Sequence, residues 1–138
     1  MSDNPQLVFI GTYTDSIHVF ELEVRSGALS QVCAVEGPAR ASYLALSANG
    51  RALYATNELV DDGGLSAFRV DPRTAEMQFL NRLHSHGADP AHLSIDPSGR
   101  WLLVANYTGG TIDPFQSLVS IGELFGFAQA TGIREPGR

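Results

Sequence analysis

Ser42-Tyr-Leu-Ala-Leu-Ser-Ala-Asn-Gly-Arg-Ala-Leu-Tyr-Ala-Thr-Asn57 returns 49 residues later as Ala91-His-Leu-Ser-Ile-Asp-Pro-Ser-Gly-Arg-Trp-Leu-Leu-Val-Ala-Asn106. Gly-Arg and the closing Asn stay in register. Both copies show short apolar runs with the alternation of half-buried strands, separated by Asn49-Gly50 in one and Ser98-Gly99 in the other. Gly or Asn there supplies the positive φ of a tight reversal. A strand-rich repeat of roughly 40–50 residues predicts propeller blades. One blade cannot bury both faces of its own sheet, so each unit depends on its neighbours.

The echo extends outward from this hairpin. Ile17–Phe20 followed by Gly27-Ala-Leu29 recurs as Leu65–Phe68 with Ala75-Glu-Met77, and again as Ile112–Phe115 with Gly122-Glu-Leu124. Each unit therefore reads as four strands. First strands are expected at Leu44–Leu46 and Leu93–Ile95, and second strands at Ala52–Thr56 and Trp101–Ala105. Third strands are expected at Leu65–Val70 and Ile112–Phe115, and fourth strands at Met77–Leu80 and Leu124–Ala128, with turns at Asp71-Pro72 and Gly122. The amino terminus enters late, since Leu7–Gly11, Ile17–Val24 and Leu29–Val35 match second, third and fourth strands. The expected class is all-β, with blades of four antiparallel strands: blade 1 without its inner strand over 7–36, blade 2 over 37–86 and blade 3 over 87–132. Asp113-Pro114 is expected to interrupt the third strand of the last unit, because Pro cannot donate to a ladder.

Three blades do not close a ring, since propellers typically have about four to eight. Unpaired sheet edges and apolar blade faces are normally avoided. Either a longer chain or several copies would complete the ring; no terminal capping is visible, so the reading is an incomplete propeller belonging to a longer one. Self-association through exposed blade edges is expected of the chain alone.

Composition narrows the partners. The chain has 138 residues, 43% of them hydrophobic, and a net charge of −6. That balance argues against nucleic acid or an anionic membrane as the main partner. The start, Met1-Ser-Asp-Asn-Pro-Gln6, lacks the basic and apolar regions of a signal peptide, and no apolar run reaches membrane-spanning length. A cytoplasmic chain is expected. Cys33 is the single cysteine, so it forms no internal disulfide and reads as a core thiol.

In a four-stranded blade, the links from second to third strand and from one blade to the next emerge on one face. There the second strands end in Thr12-Tyr13-Thr14, Asn57-Glu58 and Asn106-Tyr107, while His92 opens a first strand. Asn and Thr at such places also serve loop backbones. Glu58, able to act as base or acceptor, and His92, whose imidazole can donate or accept a proton, are the sharper candidates. His84-Ser-His86 could offer two imidazoles to a metal, but without a third ligand nearby it reads as a solvated loop. Asp61-Asp62-Gly63-Gly64 lacks the spaced carboxylates of a calcium loop.

At these residues the sequence resembles the seven-bladed β-propeller lactonase family, which includes propeller-type 6-phosphogluconolactonases and carboxymuconate cyclases. Phe9-Ile-Gly-Thr-Tyr-Thr14, Tyr43-Leu-Ala-Leu-Ser with Asn49–Glu58, and Ala88–Tyr107 carry the likeness, which runs from about Leu7 to Gly132. The resemblance implies hydrolysis of a small sugar lactone such as 6-phosphogluconolactone, a step of the pentose phosphate pathway, with no cofactor and no metal. It implies about three blades of an expected seven. It also implies catalytic groups in a Gly-Pro-His-x-His segment and later blades, expected beyond Arg138; no catalytic residue is assigned within this chain, which alone is expected to be inactive. By motif match Thr12, Tyr13, Asn57, Glu58, His92, Asn106 and Tyr107 are the candidate substrate-binding residues at the channel mouth. The alternative is a non-catalytic propeller that uses its rim for ligand or protein recognition, because fold alone does not establish chemistry.

Overall fold

Strand Ala52–Asn57 is buried at every residue, while its counterpart Trp101–Asn106 alternates between buried and open positions. This contrast reports the architecture. The computed structural model describes residues 4–118 and 123–126, and among these it holds three antiparallel sheets and no helix. Blade 1 is the three-stranded sheet of β1 (Gln6–Gly11), β2 (Ser16–Leu22) and β3 (Leu29–Glu36). Blade 2 runs β4 (Leu44–Leu46), β5 (Ala52–Asn57), β6 (Gly64–Val70) and β7 (Met77–His84) in sequence order. Blade 3 repeats that order with β8 (Pro90–Ile95), β9 (Trp101–Asn106), β10 (Thr111–Leu118) and β11 (Glu123–Gly126).

Period-2 alternation explains why β5 has no open face. Leu53 and Ala55 point towards blade 1, packing with Ile17, Ala41, Phe68 and Val70. Ala52 and Tyr54 point the other way, into a second cluster with Leu65, Ala67, Leu93, Leu102, Val104 and Phe115. Blade 2 is thus covered on both sides, and the two cores are the two blade interfaces. Ile10 on blade 1 and Leu103 and Ile112 on blade 3 remain exposed.

The expected reversals form where Gly sits. The Gly50 N–H donates to Ser47 O at 2.9 Å and the Gly99 N–H to Asp96 O at 2.8 Å, with φ of 71° and 72°. Blades 1 and 2 share a bulge at corresponding places, between Val19 and Phe20 and between Ala67 and Phe68, each on the pairing with the fourth strand. The extra residue adds local twist to the outer edge.

Two expectations are corrected and one lies outside the described residues. Met77–Leu80 is the start of a longer strand that continues to His84. Asp113-Pro114 does not interrupt its strand: β10 runs through it, with Pro114 opposite Leu103 and Asp113 opposite Val104. A single proline removes one donor, and the remaining pairs with β9 hold the register. The predicted turn at Gly122 and the stretch from 127 to 132, including Ala128, lie outside the described residues.

Candidate functional site

The loops on one face of the blades are stitched to each other by backbone hydrogen bonds. The Gly37 N–H donates to Asp15 O at 3.0 Å, Glu58 N–H to Arg40 O at 3.1 Å, Asp89 N–H to Leu59 O at 3.0 Å and Tyr107 N–H to Asp89 O at 2.8 Å. Arg40 and Asp89 occupy equivalent places and both hold positive φ, 43° and 53°. Glycine makes room for close approaches along this seam. A Cβ on Gly63 would stand 2.6 Å from Gly87 O, and one on Gly64 would meet the Arg82 guanidinium at 2.6 Å. The Asp61–Gly64 stretch is therefore a packing turn of this rim, with Asp62 paired to Arg82 at 3.5 Å.

Register identifies equivalent positions across the blades. Val8 faces Phe20, Leu53 faces Phe68 and Leu102 faces Phe115. Counting on from these pairs, Thr12, Asn57 and Asn106 share one place at the strand ends, and Tyr13, Glu58 and Tyr107 share the next. The two rows differ in exposure.

The first row is turned into the protein. Asn57 is fully buried, donating from Nδ2 to Ala39 O at 2.8 Å and accepting at Oδ1 from Ser66 Oγ at 2.8 Å and Arg82 Nε at 3.2 Å. Asn106, also buried, lies with Nδ2 at 3.0 Å from Ser85 O, 2.9 Å from Asp113 Oδ2 and 3.0 Å from Thr111 Oγ1. Thr12 donates to Ser16 O at 2.8 Å and sits 2.8 Å from Thr14 Oγ1. These three side chains hold loops to strands.

The second row faces outward. Tyr13 is 58% exposed and Tyr107 82% exposed. The Tyr13 hydroxyl donates to Glu58 Oε2 at 2.9 Å, and Ser42 Oγ donates to the same oxygen. Ser42 is held beside the strand end by Thr56, whose Oγ1 lies 3.3 Å from Ser42 Oγ and accepts from Tyr43 N–H at 3.2 Å. Arg40 lies with its guanidinium carbon 4.9 Å from the centre of the Tyr13 ring. The hydrogen bond to Glu58 is the main reason that the Tyr13 phenol is held above its ordinary range; desolvation and the nearby negative charge of Glu58 act in the same direction, against Arg40 and Ser42.

His92 is exposed, and its ring meets Tyr43 with centres 4.5 Å apart and a 44° tilt. Tyr43, just before β4, and His92, within β8, are equivalent under the 49-residue repeat, so matching residues of two successive blades stack on each other. The structure thus brings Tyr13 and Glu58 together, pairs His92 with Tyr43, leaves Tyr107 outward, and commits Thr12, Asn57 and Asn106 to the loops. Ser42, Tyr43 and Arg40 are the members that sequence reading did not single out. The alignment of Tyr43 with His92 was the available signal; nothing local marks Arg40.

The remaining side groups have defined places. His84 Nδ1 accepts from His86 N–H at 3.0 Å, and the His86 ring lies on Phe115 with centres 5.6 Å apart. Among the described residues no three His, Cys, Asp or Glu side chains gather as a metal site. Cys33, half-buried, points its thiol at Ala75 O at 3.6 Å. No helix among the described residues is long and apolar enough to cross a membrane.

Comparison with known proteins follows the same blades. The family described as lactonase, seven-bladed β-propeller, matches residues 7–124. A 6-phosphogluconolactonase of Formosa agariphila is 33% identical over 132 residues, covering 87% of this chain and 37% of the relative. A 6-phosphogluconolactonase of Bacillus subtilis is 32% identical over 111 residues, covering 78% of this chain and 32% of the relative. The crystal structure of a Bacteroides fragilis protein provisionally assigned as a 6-phosphogluconolactonase superposes with a TM-score of 0.88 at 31% identity, over 98% of this chain and 38% of that one. The chain spans about a third of the length of the curated relatives it matches.

Proposed function

The chain belongs to the seven-bladed β-propeller lactonase family, and from that premise we propose that it supplies the opening blades of a propeller that hydrolyses 6-phosphogluconolactone to 6-phosphogluconate. The observation that carries this reading is the match over residues 7–124, shared with two curated relatives that both bear that activity's name. The rim is compatible with it: exposed aromatic faces and a hydrogen-bonded carboxylate suit an uncharged ring rich in hydroxyls.

Lactone hydrolysis needs a water made nucleophilic by a base and donors for the oxyanion that forms at the ring carbonyl. It needs no redox partner. In this reading Glu58, Tyr13, Ser42, Tyr43 and His92 orient the substrate at the mouth of the channel, and the residues that activate water belong to later blades of the ring. The product would enter the pentose phosphate pathway. A phosphorylated sugar carries charge and does not cross a bilayer unaided, which supports a cytosolic place of action. Exposed Ile10, Leu103 and Ile112 support self-association of the isolated chain.

The test is a graft. Residues 7–124 replace the matching blades of the Bacillus subtilis relative, and turnover is followed by coupling 6-phosphogluconate to its dehydrogenase. Hydrolysis well above the spontaneous rate is expected. A folded chimera that only matches the spontaneous rate overturns the proposal.

A further inference from the structure

We propose that Glu58 forms a subsite for ligand hydroxyl groups, with Tyr13 and Ser42 as the positioning residues that aim it. The inference rests on the lactone reading above and adds which part of the lactone blades 1 and 2 recognise: its uncharged, hydroxyl-bearing carbons.

Three observations lead there. Tyr13 and Ser42 both donate to one oxygen of Glu58, Oε2, while Oε1 receives no hydrogen bond among the described residues. An ionised carboxylate only accepts, so a group that satisfies Oε1 must be a donor. The two donors come from different blades, Tyr13 from the end of β1 and Ser42 from the approach to β4. They fix the carboxylate at a blade junction, where the half-buried Glu58 is neither free to rotate away nor closed to solvent.

The surroundings select among donors. An anionic ligand group beside Glu58 would meet a like charge, so a phosphate is disfavoured at this position. An ammonium group would find Arg40 nearby, placed over the Tyr13 ring. A neutral hydroxyl avoids both repulsions. The Tyr13 ring and the Tyr43–His92 stack offer flat, partly apolar surfaces on the same rim, against which the C–H faces of a saturated sugar ring can lie. A carboxylate acceptor beside exposed aromatic faces fits a polyhydroxylated ring better than a plain lactone.

The experiment compares two lactams, which resist hydrolysis, by isothermal titration calorimetry against the grafted propeller that carries residues 7–124: D-glucono-δ-lactam, bearing hydroxyls, and unsubstituted piperidin-2-one. The hydroxylated lactam is expected to bind more tightly by about tenfold or more, and E58Q is expected to remove about tenfold of that preference, as for loss of one hydrogen bond to a charged acceptor. Y13F keeps the ring but removes one donor from Oε2, and is expected to shift the preference in the same direction by a smaller factor. If both lactams bind and the preference is unchanged by E58Q, this inference is overturned while the lactone reading stands. Should E58Q not fold, an unchanged preference in Y13F overturns it equally. If neither lactam binds a graft that hydrolyses 6-phosphogluconolactone, this inference is overturned while the lactone reading stands; a folded graft that does not hydrolyse it is the separate failure of that reading.

Discussion

The hydroxyl of Tyr13, from blade 1, donates to Glu58 Oε2, from blade 2, at 2.9 Å across 45 residues of sequence. The two occupy the same place in successive blades, so the rim is bonded to itself through residues that would be independent loop positions in a single blade. The first consequence is spectroscopic. Tyr13 should ionise above the ordinary tyrosine range, because its proton is held by Glu58. An ultraviolet titration of the wild type against Y13F should show one late phenol, and E58Q should bring it down. The sign for stability follows: a raised folded-state value means that the contribution is complete below the unfolded-state value and is lost as pH rises through the folded one. Alkaline solution should therefore loosen the junction of blades 1 and 2. A Tyr13 that titrates no later in wild type than in E58Q removes the basis of the argument.

Asn57 and His92 should separate in opposite ways. Asn57 is buried and bonded to Ala39, Ser66 and Arg82, so N57A leaves the buried Ser66 hydroxyl, and the half-buried Ala39 carbonyl and Arg82 guanidinium, short of a partner. It should cost about 2 kcal/mol, measured by urea unfolding. His92 is exposed and stacked on Tyr43, so H92N should leave the unfolding midpoint nearly unchanged and raise KM several-fold in the grafted propeller. A large midpoint loss in H92N with unaltered kinetics would make it a structural residue.

Phe68 anchors the interface of blades 1 and 2. It is fully buried with Ile17, Leu53 and Val70, and its ring meets Phe79 edge-on at 5.7 Å. F68A should cost about 3–5 kcal/mol, through lost burial and the cavity left behind. Thermal melting should register it as a large fall; a fall as small as that of a surface substitution would mean that this interface does not pack as described.

Gly11 carries the closest backbone approach on blade 1. A Cβ there would lie 2.0 Å from Ala41 O, a main-chain atom that cannot swing aside. G11A should therefore destabilise the chain more than a glycine-to-alanine change at Gly50, where none of the described residues stands within 4 Å and the φ of 71° is what resists. Equal melting temperatures for the two variants would refute this ranking.

The isolated chain should elute from gel filtration larger than a monomer. Ile10 on one outer blade and Leu103 and Ile112 on the other are exposed, and apolar sheet faces of this kind pair with further protein. A sharp monomer peak with a cooperative melt would set this aside.

Much of the fold was legible in the sequence because strand alternation and turn chemistry are local. Leu53 and Tyr54 had to face opposite ways, Gly50 and Gly99 had to turn, and the repeat carried these signals from blade to blade. The blade order and nearly every strand followed. Pro114 misled for the same reason: a local rule penalised its missing donor, while the pairing of β10 with β9 held the strand together. The rim was legible only as a list of residues on one face. Thr12, Tyr13, Asn57 and Glu58 look alike in sequence as polar strand ends, yet Asn57 is consumed by Ala39, Ser66 and Arg82 while Glu58 is gripped by Tyr13 and Ser42 and, among the described residues, keeps one oxygen open. Tertiary structure alone decided this, since those partners arrive from other strands and from a neighbouring blade. The sequence repeat determines which strands pair; the packing of one blade against the next determines which polar groups are already satisfied and which remain free to bind.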